Sequence, residues 1–207
     1  MLNKYIFALA LLLPIFSVSA AKFEEGTHYV EIEGELTKKK QVTEFFSFYC
    51  PACFRQEPFM NNLKASLPSD VTFKKNHVDG MPGRELAIEQ LLTNALIAAN
   101  YLKVGDKVIP AIFNTIHVDK SSFNNIDDVK RLFTNNGVNG DKFDKVFSSF
   151  GVNAQAKKMQ KNTQQLRDQG FSAVPTLIVN GKYKPVTKSL KSVDEYKALV
   201  LFLLEKA

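Results

Sequence analysis

The stretch Val42-Thr43-Glu44-Phe45-Phe46-Ser47-Phe48-Tyr49-Cys50-Pro51-Ala52-Cys53 decides the fold of this chain. Its first part, Val42–Phe48, is a short apolar run of the kind that forms a buried central strand. Pro51 then stands where a helix begins, because proline at the first helical position has no N–H to leave unsatisfied. The two cysteines, the only ones in 207 residues, therefore straddle a strand-to-helix junction. A Cys-x-x-Cys pair at such a junction is built for dithiol–disulfide exchange. Free N–H groups and the helix dipole favour an anion at the first sulfur, so Cys50 is expected to ionise readily. Cys53 lies one turn on, close enough to close a disulfide, and is expected to be the more buried and less acidic thiol. Two plainer readings stay open. One is a structural staple, whose loop is too short to add much stability; the other is half of a zinc site. Zinc needs further ligands, and His28, His77 and His117 are scattered along the chain. His77 reads as a strand residue with a satisfied hydrogen bond rather than as a catalyst.

Outward from this junction, the helix is expected to run to about Leu67 with a kink at Pro58, where an internal hydrogen bond is lost. Pro68-Ser69-Asp70 stops it, and Val71–Val78 forms the next strand. Thr27–Glu33 alternates weakly and reads as an edge strand. The cysteines thus lie at the carboxyl end of a strand in a strand–helix–strand unit, where chemistry in open α/β sheets gathers. From Gly83 to about Gly170 the pattern is helical: Glu85–Leu102, Lys107–His117, Asp127–Phe133, Lys142–Phe150 and Ala154–Gln169, separated by Asn and Gly turns. Strand signals return with Thr176–Val179, the Asn180-Gly181 turn and Lys182–Val186, a strong hairpin pattern. Asp194–Glu205 closes the chain as a helix with an apolar face. The fold class is α/β. A helical domain of residues 83–170 is inserted into a sheet domain made of 21–82 and 171–207.

The N-terminus carries an export signature. Lys4 is followed by the apolar Ile6–Phe16, and Val18-Ser19-Ala20 offers small residues at a peptidase site. The run is too short to span a bilayer, so cleavage after Ala20 is expected to leave a soluble chain starting Ala21-Lys22-Phe23. Export places a cysteine pair where disulfides persist. The formal net charge is +6, with 27 Lys and Arg against 21 Asp and Glu. The lysines are dispersed apart from Lys38-Lys39-Lys40, which reads as a solvated turn, so nucleic acid is not an expected partner. No Gly-rich phosphate loop is present, and neither a cofactor nor a metal is expected.

Glu44-Phe45-Phe46-Ser47-Phe48-Tyr49-Cys50-Pro51-Ala52-Cys53 resembles the active-site segment of the DsbA family of periplasmic disulfide oxidases. Val174-Pro175 and Val179-Asn180-Gly181-Lys182-Tyr183 resemble that family's cis-proline loop and hairpin, and Ala21–Gly26 its mature start. The resemblance implies a thioredoxin fold with a helical insert. It further implies oxidation of thiols in folding exported proteins, and recharging by a quinone-linked membrane oxidase of the DsbB type. It makes Cys50 and Cys53 catalytic, and Pro51, Ala52, Val174 and a cis Pro175 the surrounding substrate-binding loops. One departure stands out: well-known members carry Pro-His between the cysteines where this chain has Pro51-Ala52. Ala52 neither holds a charge nor donates a side-chain hydrogen bond, so thiolate stabilisation is expected to weaken without vanishing.

Glu44 interrupts an apolar strand, and a buried charge needs a partner. Lys75 lies on the neighbouring strand and Glu57 one turn beyond Cys53. All three match acidic and basic positions beneath the cysteines of the resembled family. A carboxylate there can take protons from Cys53, tuned by Lys75. A structural ion pair, or an exposed Glu57, is the plainer account. Two rival functions use the same residues. An isomerase or reductase of this kind usually carries a dimerisation domain, which has no counterpart here, so a monomer is expected. A peptide-binding module would keep the pair as a fixed staple.

Overall fold

The computed structural model describes residues 23–206; the expected signal segment and its cleavage site lie outside the described residues. The five strands are β1 (Tyr29–Glu31), β2 (Gln41–Phe46), β3 (Thr72–His77), β4 (Thr176–Val179) and β5 (Tyr183–Pro185). They form one mixed sheet in the order β1-β5-β4-β2-β3. β2 and β3 are parallel, while β4 runs antiparallel to both β2 and β5. The crossover from β2 to β3 is helix α1 (Pro51–Ser66). Pro58 lies inside α1, which continues through it for two further turns. Between β3 and β4 the chain is helical: α2 (Leu86–Tyr101), α3 (Gly105–His117), α4 (Ile126–Asn135), α5 (Gly140–Phe147) and α6 (Phe150–Asp168). A single 3-10 turn (Thr187–Ser189) and α7 (Val193–Glu205) end the fold.

β2 is buried on both faces because a helix layer covers each. Val42, Leu177 and Val179 pack with Met60 and Leu63 of α1 and with Leu199, Val200, Leu203 and Leu204 of α7. Phe45 and Ile178 point the other way and meet Leu166 of α6, as the period-two alternation of strands requires. The third core belongs to the helical insert, centred on α2, and it reaches Phe46, Phe48, Cys50 and Cys53. The cysteines therefore sit on the seam between insert and sheet. α6 is fastened across that seam by Asn76, whose amide donates to the carbonyl of Met159 and the hydroxyl of Thr163.

Several boundaries differ from the sequence reading. The edge strand shrinks from Thr27–Glu33 to Tyr29–Glu31, because residues 26–28 turn and only three residues pair with β5. The last insert helix starts at Phe150 rather than Ala154, since Ser149 caps it by accepting the N–H of Val152 at 3.3 Å. Lys38 and Lys39 are exposed, but Lys40 pairs with Glu205 at 2.6 Å and ties the loop to α7. The hairpin forms at Asn180-Gly181, both with positive φ. A Cβ on Gly181 would come within 2.9 Å of the Glu35 carbonyl, so only glycine fits. Asn180 accepts from the N–H of Gln41 and donates to the carbonyls of Leu203 and Leu204, joining β2 to α7.

Candidate active site

Cys50 is the N-cap of α1, with Pro51 as the first helical residue. Its Sγ occupies the place normally taken by a Ser or Asp oxygen and accepts the N–H of Cys53 at 3.2 Å. No acidic residue lies in the first turn of α1 to repel a negative sulfur. The Cys50 thiol is pulled down to about 6. Its interaction with the Cys53 thiol is the largest influence. Burial opposes it, and the N–H groups of Cys53 and Ala52 and the guanidinium of Arg55 reinforce it. Val174 brings its carbonyl to 3.5 Å from Cys50 Sγ, and the Val174–Pro175 bond is cis. Cys50 thus faces one helix end and one backbone carbonyl on the strand β4 approach.

Cys53 lies one turn deeper, with 0% of its surface exposed against 6% for Cys50. Its thiol is pushed well above the usual range by the Cys50 sulfur, by burial and by the nearby Glu44 charge. Beneath it the sheet register sets Glu44 opposite Lys75. Lys75 Nζ donates to Glu44 Oε2 at 2.6 Å and to Glu57 Oε2 at 2.7 Å. Glu57 is buried rather than exposed, which excludes the plainest account of it. Burial raises the Glu44 carboxyl above its ordinary value, with Lys75 opposing and Glu57 adding to the rise. Burial works against the Lys75 charge, but the two carboxylates outweigh it and keep the ammonium protonated. Glu44 Oε1 is buried without a hydrogen-bond partner among the described residues. One cation shared by two carboxylates leaves the cluster able to bind one more proton at low cost.

The structure also brings together residues that the sequence leaves apart. Two of the three scattered histidines meet at Phe48. The N–H of Phe48 donates to His77 Nε2 at 3.2 Å, and His117 Nε2 lies 2.8 Å from the Phe48 carbonyl. His77 Nδ1 is 2.8 Å from the hydroxyl of Thr93, which donates to the Glu89 carbonyl. Full burial lowers the His77 imidazole to about 3, so it stays neutral with Nδ1 as its donor. Arg84 stacks its guanidinium 4.6 Å from the ring centre of Tyr49, the residue before Cys50. Arg55 was available in the sequence as a cation close behind the pair. The histidines had no signal, because 29 and 69 residues separate them from Phe48.

Residues 41–198 match the family described as DSBA-like thioredoxin domain. The thiol:disulfide interchange protein DsbA of Pectobacterium carotovorum is 33% identical, the match covering 99% of this chain and all of that one. The DsbA of Escherichia coli K12 is 32% identical over the same shares. Among solved structures, a Proteus mirabilis DsbA with a non-covalently bound peptide superposes with a TM-score of 0.77 at 28% identity, covering 89% of this chain and 99% of that one. A Klebsiella pneumoniae DsbA gives 0.76 at 27% identity with the same coverage. The sheet with its helical insertion, the Cys-x-x-Cys pair at the head of α1 and these similarities converge: the chain belongs to the DsbA family of thioredoxin-fold thiol:disulfide oxidoreductases.

Proposed function

We propose that Cys50 and Cys53 form the disulfide this protein donates to exported proteins folding in the periplasm, and that a DsbB-type membrane partner restores it. The observation that carries the reading is the contrast between the sulfurs: Cys50 is an N-cap with its thiol near 6, and Cys53 is enclosed with its thiol pushed high. A substrate thiolate attacks Cys50 Sγ; the Cys50–Cys53 bond breaks and its electron pair stays on Cys53. A mixed disulfide forms between substrate and Cys50. A second substrate thiolate then attacks the substrate sulfur, and Cys50 departs as a thiolate. The leaving group is good because its negative charge is already stabilised. Cys53, the stronger base, takes up a proton when released and must lose it on reoxidation. Glu44, held by Lys75 and Glu57, is the buried group suited to exchange that proton.

Val174 and Pro175 border the sulfur and, with Pro51 and Ala52, would line the path of an extended substrate. The peptide in the Proteus mirabilis complex supports a peptide-like occupant of this kind. Periplasmic location rests on the export signature in residues 1–20, and a monomer with domains at 21–82 plus 171–207 and 83–170 completes the reading. Among the described residues no helix is long and apolar enough to cross a membrane.

Two measurements test this together. Equilibration with glutathione should place the pair among oxidising rather than reducing couples, near the about −120 to −180 mV range of oxidases and isomerases rather than thioredoxin's about −270 mV. The Cys53→Ser protein should accumulate mixed disulfides with a disulfide-bearing substrate, because the Cys50 thiolate attacks one substrate sulfur, the other departs as a thiolate, and no Cys53 remains to release Cys50 from within. Cys50→Ser should abolish exchange. Full activity in both variants overturns the roles, and a strongly reducing potential favours a reductase.

A further inference from the structure

We propose that His117 is a positioning residue through which the helical insert holds the catalytic turn, and so places Cys50 Sγ against the head of α1. The inference rests on the assignment of Cys50 as the exchanging sulfur. His117 is the last residue of α3 and belongs to the insert, yet it grips the turn 48–54 on both sides of the cysteine pair. On one side its Nε2 is 2.8 Å from the carbonyl of Phe48, two residues before Cys50. A carbonyl only accepts, so Nε2 carries the hydrogen. On the other side the imidazole stacks on Phe54, the residue after Cys53, with ring centres 4.9 Å apart and planes 9° from parallel.

Both contacts fall on backbone that positions the sulfur. Phe54 N–H donates to the Cys50 carbonyl at 3.1 Å, the bond that opens α1. Cys50 N–H donates to the Ser47 carbonyl at 3.1 Å, so the strand-to-helix turn is closed just before the cap. His77 holds the N–H of Phe48 from β3. Phe48 is fully buried with its N–H taken by the sheet half and its carbonyl by the insert. Without the His117 donor that carbonyl is left buried and unpaired, a condition that a backbone shift relieves. A shift at residue 48 propagates through Tyr49 to the cap. The sulfur then loses alignment with the N–H of Cys53, because N–H···S geometry weakens steeply as it bends.

The test separates donation from stacking. His117→Phe keeps a ring against Phe54 and removes the donor; His117→Gln keeps a donor and removes the ring. In each protein the Cys50 titration is followed by thiolate absorption, the glutathione equilibrium is measured, and melting of the reduced form is recorded. His117→Phe should raise the Cys50 midpoint by about half to one pH unit and move the equilibrium about three- to tenfold toward the disulfide, the change such a shift carries. His117→Gln should stay within about twofold of the parent on that equilibrium. An unmoved titration and equilibrium in His117→Phe overturns the proposal, even if melting falls, because packing alone would then be at stake. Equal displacement of both variants also overturns it. Should His117→Phe not fold, the His117 ring-nitrogen resonance in the native protein decides: it must follow the Cys50 titration curve, and independence from that curve overturns the coupling. A parent protein lacking any readily ionised thiol would instead overturn the assignment of Cys50 itself.

Discussion

Two thiols one helical turn apart occupy opposite surroundings in this molecule. At the head of α1, Cys50 meets unsatisfied N–H groups, an Arg55 charge and a free edge toward Val174. One turn down, Cys53 is enclosed, faces the sulfur of Cys50, and has the Glu44 carboxylate beneath it. The helix end favours a negative sulfur and the buried turn disfavours one. Depth along a single helix sorts one thiol into a leaving group and the other into a base. The asymmetry directs exchange, since the attacked sulfur must be the one whose departure is easy.

The largest way to break the lower half of this contrast is to remove its cation. Lys75→Met leaves Glu44 and Glu57 buried without a partner, and loss of one member of a buried pair costs about 3–5 kcal/mol. Urea unfolding of the oxidised protein at neutral pH should show that loss, with part of it recovered in acid as a carboxyl takes up a proton. Glu44→Gln should cost less, because an amide carries no charge to strand there. It should instead slow reoxidation at neutral pH while leaving the Cys50 titration in place. An unslowed reoxidation would mean that the cluster is structural.

The upper half is tested through the redox states. The folded Cys50 thiol near 6 lies below the unfolded value of about 8.5, and only the reduced form has a free thiol to ionise. A depressed folded value stabilises the reduced fold fully above about pH 8.5, and the contribution is lost as pH falls through about 6. At pH 7 the difference amounts to about one pK unit, about 1.4 kcal/mol, so the reduced protein should melt at most about 3–6 °C above the oxidised one, solvent near the sulfur trimming the gap. The gap should close toward pH 5. Ala52→His adds a donor or a positive charge beside the sulfur and should widen the gap. Oxidised protein melting higher at neutral pH would remove the thiolate from the account.

Much of this was legible in the chain because its signals are local. Pro51 marks the head of α1, Asn180-Gly181 marks the hairpin, and the charge at Glu44 stands out within an apolar strand. Parallel pairing of β2 and β3 then puts Lys75 opposite Glu44, which spacing along two strands already suggests. Edges were less legible: β1 is short because its partner β5 is short, a property of neither segment alone. His117 was invisible for a stronger reason. Its partner Phe48 lies in the other half of the fold, and both ends of the contact are a backbone carbonyl and a helix terminus, neither of which leaves a pattern in sequence.

The smallest effect belongs to Arg55, and it sharpens what sets the upper thiol. Among the influences on Cys50, its charge ranks below the Cys53 thiol and the N–H groups of Cys53 and Ala52. The side chain is exposed, so water and salt screen it. Arg55→Gln should therefore raise the Cys50 midpoint by less than about half a pH unit at low ionic strength, and the difference should fade in molar salt. The hydrogen-bond contribution is short-ranged and should survive the same salt. Comparing thiolate titrations of parent and variant at two ionic strengths separates the two. If salt moves the parent by more than Arg55→Gln does, more distant charges set the Cys50 titration, and the hydrogen-bonded cap ceases to be the main reason that this sulfur, rather than its buried neighbour, is the one that leaves.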